Sequence, residues 1–175
     1  MPTPADLSRG ASRDAADAAG LGIGLWLGWR EWVALPELGL PAIKAKVDTG
    51  ARTSTLHAFY VEPFRSKGAD LVRFGVHPLQ RRTDILIHCE ARIRDRRLVT
   101  DSGGHREQRY VIKTPLRIAG LSWPIEVTLT NRETMLFRML VGRTAMVGRV
   151  LVDPARSFLT GRPDPAACYG GDADR

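Results

Sequence analysis

From residue 29 onward, short apolar runs alternate with breaks at Pro, Gly and Asp. The runs are REWVALPEL, AIKAKVD, TLHAFYVEPF, LVRFGV, DILIHCEARIRDRRLV, QRYVIKTPLRIAG and WPIEVTLT. Each is short and rich in β-branched and aromatic residues, which marks strands rather than helices. Alternation is clearest over residues 84–94. There Ile85, Ile87, Cys89, Ala91 and Ile93 fall on one face, with Leu86 as the apolar interruption of the other, as in a half-buried antiparallel strand. The one helical stretch is RTAMVGRV, residues 143–150, about two turns directly after MLVG. Many strands and a single late helix predict an all-β sandwich or small closed barrel.

The ends differ from the middle. Residues 1–27 are rich in Ala, Gly and Asp without a sustained period, and are expected to form a flexible arm. Residues 28–161 form the expected domain. Residues 162–175, RPDPAACYGGDADR, read as a mobile tail. A length of 175 residues suits one domain with some spare chain. Two distant cysteines, Cys89 and Cys168, argue against a disulfide-stapled scaffold. The apolar stretch LGIGLWLGW at residues 21–29 is far short of the roughly 20 residues that span a bilayer. It also lacks a basic flank, so the expectation is a cytoplasmic protein without a membrane partner.

A net charge of +7, mostly from arginine, makes an anionic partner plausible: nucleic acid, an acidic protein segment or a membrane surface. Aromatic residues are only 7% of the chain, and no strand interleaves aromatic with basic positions as a base-stacking platform does. Nucleic acid is therefore not required by the pattern.

The chemistry concentrates in IKAKVDTGARTS, residues 43–54. Ile43, Ala45 and Val47 alternate with Lys44 and Lys46, a strand that delivers Asp48 to its end. Asp48, Thr49 and Gly50 make a turn in which Asp bonds the local backbone and Gly tolerates unusual dihedrals. Ala51 is small, and Thr53 and Ser54 restart a strand. Strand, acidic turn, strand is a rigid mount for a carboxylate, and the triplet alone fits an ordinary turn equally well. Nearly a hundred residues later MLVGRTAM brings a second apolar run ending in Gly142.

VDTGA followed late by an apolar-apolar-Gly-Arg element resembles the retropepsin-like aspartic peptidases. AKVDTGARTSTLHA, SGGHREQRYVI, MLVGRTAM and VDPARSFLTG, in that order, are similar to a bacterial family labelled ATP-dependent zinc protease and retropepsin-like in structure. The zinc and ATP of that label find no motif. HExxH is absent, His57, His77, His88 and His105 stand on separate segments, and there is no GxxxxGK[ST] loop. No cofactor is expected.

The resemblance implies a carboxylate dyad sharing one proton, because like charges about 3 Å apart do not both ionise cheaply. Asp84, Asp95 and Asp153 lack the turn context, and Asp101-Ser102-Gly103 comes closest to a second copy. The preferred reading of that segment is a flap, with Gly103 and Gly104 at its tip; a second acidic loop is the alternative. One Asp48 per chain then implies a homodimer joined at the active-site loops, with Thr49 bridging the two loops. Lys46, Arg52, Arg106 and Arg109 are candidate cations for an acidic peptide, and they are equally compatible with solvated strand faces. Glu107 is a candidate salt-bridge partner of Arg106 or Arg109, and His57 reads as structural. The family further implies glutamate-tailed protein as substrate and a functional link to an ATP-grasp glutamate ligase. The rival functions are a non-catalytic basic β-module that binds RNA or the ribosome, and a metal-dependent hydrolase.

Overall fold

The computed structural model describes residues 24–132 and 134–170. Its strands are β1 (Leu25–Gly28), β2 (Arg30–Leu35), β3 (Leu40–Val47), β4 (Ser54–His57), β5 (Tyr60–Ser66), β6 (Ala69–Val76), β7 (Ile87–Arg92), β8 (Asp95–Thr100), β9 (Arg106–Ile118), β10 (Leu121–Thr130), β11 (Met139–Val141) and β12 (Val150–Asp153). Two short helices follow, α1 (Arg143–Met146) before β12 and α2 (Pro165–Cys168) after it. The expected mainly β architecture is present.

Seven strands form one sheet in the order β10-β4-β11-β3-β2-β9-β8, and β10 also pairs with β9. The pairings therefore return on themselves, the β2–β9 step resting on the single register Ala34↔Arg117. Side chains pointing into this ring make the core: Ile43, Ala45, Leu56, Ile112, Leu116, Val127 and Met139 are all wholly buried or within a trace of it. Lys44 and Lys46 alternate with Ile43, Ala45 and Val47 as the sequence pattern requires, and point out. A separate three-stranded sheet, β5-β6-β7, carries the run over residues 84–94. Its alternation holds, with Ile85 and Ile87 half-buried and Cys89 buried against exposed Leu86, His88 and Glu90. Burial pushes the Cys89 thiol up to about 12, so it behaves as a small apolar core residue.

Four boundaries differ from the sequence expectation. Residues 143–150 are not one helix: α1 stops at Met146, Val147 turns extended and Gly148 takes a left-handed φ of 73°. Val150 then opens β12, which pairs in parallel with β1. This pairing orders Leu25, Trp26 and Leu27, residues assigned above to the arm; residues 1–23 lie outside the described part. The run DILIHCEARIRDRRLV splits into β7 and β8, because Ile93 donates to the Asp70 carbonyl and Arg94 to that of Val111, carrying the chain from one sheet to the other. Within the segment read above as a tail, residues 164–169 are held in place. Asp164 caps α2 by accepting from the Ala166 N–H at 3.0 Å, and the Tyr169 hydroxyl donates to the Ala42 carbonyl.

The closing segment is fixed by one buried acid. Glu31 is wholly buried, and its carboxyl oxygens accept from the backbone N–H of Gly28 (2.7 Å), Leu159 (2.9 Å) and Thr160 (3.3 Å) and from the Thr160 hydroxyl (2.9 Å). Gly28 has to be glycine here, since a Cβ would lie 2.3 Å from the Arg156 carbonyl oxygen. Glu31→Ala would strand several buried donors, and its expected cost is about 3 kcal/mol in chemical denaturation, with Glu31→Gln losing less. A denaturation midpoint unmoved by Glu31→Ala would refute this anchoring role.

Candidate active site

Asp48 stands one residue beyond β3, on the loop that leads into β4. Between these two strands lies β11, parallel to β3 (Val141↔Val47) and antiparallel to β4 (Leu140↔Thr55). The loop is therefore forced open around a third strand. Its base is tied by the Asp48 N–H, which donates to the Val141 carbonyl at 2.9 Å. The Asp48 Oδ1 accepts from the N–H of Gly50 at 3.0 Å and of Ala51 at 3.1 Å, so the turn expected from Asp-Thr-Gly forms and also orients the carboxyl group.

The far side of the loop is held by α1. Arg143 Nη1 donates to the carbonyls of Thr49 and Gly50, each at 3.0 Å, while its backbone N–H donates to Ala51 O at 2.8 Å. The Thr144 N–H reaches Arg52 O at 3.0 Å. Gly142 lets these elements meet: its N–H donates to Ser54 Oγ at 3.1 Å, and a Cβ there would lie 2.6 Å from the Thr53 carbonyl carbon. Arg143 was not among the residues singled out from the sequence, although MLVGRTAM contains it. The signal was the glycine-arginine pair at the end of an apolar strand, whose target is visible only in three dimensions.

A cleft of about 580 Å³ opens beside the loop. Gly50, Ala51, Arg52 and Thr53 form one wall, β8 and its following turn the opposite one, and Thr55, Thr128, Thr130 and Arg109 the floor. The hairpin β8–β9 turns through residues 101–104, so Asp101-Ser102-Gly103 is a hairpin tip, the flap-like arrangement preferred from the sequence. The Asp101 carboxyl is committed there. N–H groups of His105 (3.0 Å) and Gly103 (2.8 Å) donate to Oδ1, and Arg132 approaches Oδ2 at 2.7 Å. The His105 N–H first, then that of Gly103 and the Arg132 charge, hold Asp101 below the usual carboxylate range.

The expected cations separate into two groups. Arg52 and Arg109 line the cleft; Arg109 is 6% exposed and pairs with Glu107 at 2.8 Å, which also accepts from the Thr130 hydroxyl at 2.9 Å. Lys46 and Arg106 are exposed but do not line it: Lys46 points off the outer face of β3, and Arg106 opens β9 beside the hairpin turn, opposite Thr100. Gly103 lies at the hairpin tip with its N–H spent on Asp101, and Thr49 and Gly50 are exposed on the Asp48 loop. Three further arginines, Arg97, Arg132 and Arg143, complete the rim. Arg97 is gripped by Glu126 at 2.7 and 3.1 Å and by Asp95 at 2.8 Å. His57 is buried outside the cleft, where its Nδ1 accepts from the Arg132 N–H at 3.2 Å and so places that arginine.

Among the described residues no three of His, Cys, Asp and Glu gather as a metal-binding group, and no helix is long and apolar enough to cross a membrane.

Residues 26–163 match the RimB-like family model, described as retropepsin-like aspartic endopeptidase RimB. Proteins named probable alpha-L-glutamate ligase are similar to this chain, 48% identical over 135 residues in Shewanella pealeana and 53% over 135 residues in Parasynechococcus marenigrum. Each alignment takes 77% of this chain, which spans only 30% and 29% of those two proteins respectively. A crystal structure of a Legionella pneumophila protein of unknown function superposes with a TM-score of 0.66 at 27% identity, covering 78% of this chain and 98% of that one. With most of its length matched by the family model, the chain belongs to the RimB-like family of retropepsin-like aspartic endopeptidases.

Proposed function

We propose that the protein is an aspartic peptidase that hydrolyses peptide bonds as a homodimer, one Asp48 coming from each copy. The observation that carries this reading is the Asp48 loop itself, opened around β11 and clamped by Arg143, with no second loop of its kind among the described residues. In the dimer the two Asp48 carboxyls share one proton. The ionised one takes a proton from water as that water attacks the scissile carbonyl, and the protonated one hydrogen-bonds the carbonyl oxygen. Thr49, exposed at the loop tip, bridges the two loops, and the ring of strand pairings acts as the closed barrel that holds each loop still.

The substrate is an acidic peptide or glutamate-tailed protein. Arg97, Arg109, Arg132 and Arg143 give the cleft a positive field while holding its walls, and Arg52, which lines it without an ion pair among the described residues, suits bidentate capture of carboxylates. The similarity to proteins named glutamate ligases supports the same class: a ligase that adds glutamates creates the bonds that a peptidase with an arginine-lined cleft removes. The expected setting is the cytoplasm, alongside an ATP-grasp ligase acting on a ribosomal protein.

Asp48→Asn is expected to abolish cleavage of a glutamate-tailed protein, with circular dichroism and sedimentation mass unchanged. Turnover equal to that of the parent, or a sedimentation mass of one chain in fully active protein, would sink the reading. Arg143→Ala should lower kcat by about a hundredfold with a small change in KM, because it loosens the loop without removing a group that touches substrate. Steady-state kinetics on a soluble, folded variant checks this, and a pure KM effect would count against the clamp.

A further inference from the structure

A second cavity, of about 560 Å³, lies away from Asp48 on the outer face of β2 and β3. Arg30, Trp32, Lys44, Arg81, Phe137 and Asp164 are among the residues that line it. Of the cations on its wall, Arg82 pairs with Asp84 and the others are left without a carboxylate. Among the described residues Arg30, Lys44 and Arg81 form no ion pair, whereas Arg97, Arg109 and Arg132 of the cleft each do. The one acid on the wall, Asp164, is engaged in capping α2. Arg30 Nε is buried without a hydrogen-bond partner, an arrangement that costs stability unless something else accepts from it. Burial first, and then the charges of Arg30, Arg162 and Arg81, hold Lys44 below the usual lysine range. Three cations without carboxylate partners, with the charge of Arg162 acting on Lys44 from beyond the lining, make a site that a polyanion relieves.

Sheet register joins this site to the cleft. Thr128 pairs with Thr55, Thr55 with Leu140, Leu140 with Lys46, and Lys46 with Arg30. Residues in register across a sheet share a face, so these five side chains form one row. Its first three members line the cleft and its last lines the second cavity, with Lys46 between. From β4 to β2 the row crosses three strand spacings, about 14 Å, which is the reach of four or five residues of extended peptide.

The aromatic rings decide between kinds of polyanion. Lys44 Nζ sits 5.2 Å from the Trp32 ring centre, Arg30 4.5 Å from Trp29 and 4.9 Å from Phe158, and Arg162 4.3 Å from Phe158. Phe137 packs against Trp29, edge to face, at 5.9 Å. These rings are engaged by cations or by each other and are not free platforms for stacked bases. We infer that Arg30, Lys44 and Arg81 form an exosite for the carboxylates of an acidic peptide, holding residues of the chain that lie four or five positions from those in the cleft.

The inference builds on the peptidase reading only in taking the cleft as the place where the same peptide is cut, and binding tests it without turnover. The full chain carrying Asp48→Asn is titrated into fluorescein-labelled oligoglutamates of four and twelve residues and followed by anisotropy. The twelve-residue probe is expected to bind about tenfold more tightly, an advantage lost with Lys44→Gln and Arg81→Gln, while the four-residue probe is unaffected. Arg81 is exposed on a loop, so Arg81→Gln alone tests the site if changes at the half-buried Lys44 disturb folding. The exosite is overturned if the substitutions weaken both probes equally or neither, if neither probe binds, or if single-stranded RNA of equal charge binds more tightly through these residues. Loss of the length advantage in a protein that cuts no acidic peptide would instead uphold the exosite and refute the peptidase reading.

Discussion

The insertion of β11 between β3 and β4 is the constraint on which the rest of the site depends. Two strands joined by a short loop would ordinarily pair with each other; here a strand from nearly a hundred residues later occupies the place between them. The loop cannot close, and Asp48, Thr49 and Gly50 are left standing beyond the ends of β3 and β4, with the carbonyls of Thr49 and Gly50 outside the strand pairings. Those carbonyls become the acceptors for Arg143, and the space for α1 to approach exists only because residue 142 has no side chain. Local turn chemistry orients the carboxyl group, while a long-range strand crossing determines where the turn stands.

This division explains what was legible in the sequence. The Asp48 turn, the outward Lys44 and Lys46, and the half-buried β7 follow from local periodicity and turn chemistry, and each is found. The role of Arg143 was not legible, because its acceptors are backbone carbonyls of no particular residue type. β1 and β12 were missed because each is four residues long and stable only against the other, with more than a hundred residues between them. The helix over residues 143–150 was overextended because RTAMVGRV carries good helix formers; Gly148 and the pairing of Val150 outweigh that propensity. Lys46 and Arg106 were placed at the site by nearness in sequence. Lys46 shares its face with Leu140 and Thr55 but stands one strand further from the cleft, and Arg106, although beside the hairpin turn, is not among the residues that line it, so nearness along the chain did not translate into a place in the cleft.

The charge distribution follows a related logic. A strongly basic chain must either pair its arginines or leave them for a ligand. Around the flap they are paired to rigidify it: Arg97 ties β8 to β10 through Glu126, and Arg132 ties the hairpin tip through Asp101. Outside β2 and β3 they are stacked on aromatic rings and left without carboxylates. The two treatments occur on one continuous sheet face, so net charge alone would not have separated structural arginines from available ones.

On the dimeric reading proposed above, the arginines nearest the Asp48 loop are disposed in a way that suits a shared proton. A carboxylate in contact with a guanidinium is held ionised, and two carboxylates each held so cannot share a proton between them. The cleft contains five arginines, yet among the described residues Asp48 forms an ion pair with none of them. Arg97, Arg109 and Arg132 are satisfied by Glu126, Glu107 and Asp101, and Arg143, which crosses the loop itself, is spent on the Thr49 and Gly50 carbonyls. An arginine used in this way contributes position without neutralising the acid it positions. One guanidinium nitrogen of Arg143, shared between two successive carbonyls, keeps this cation on the backbone of the loop and off its acid.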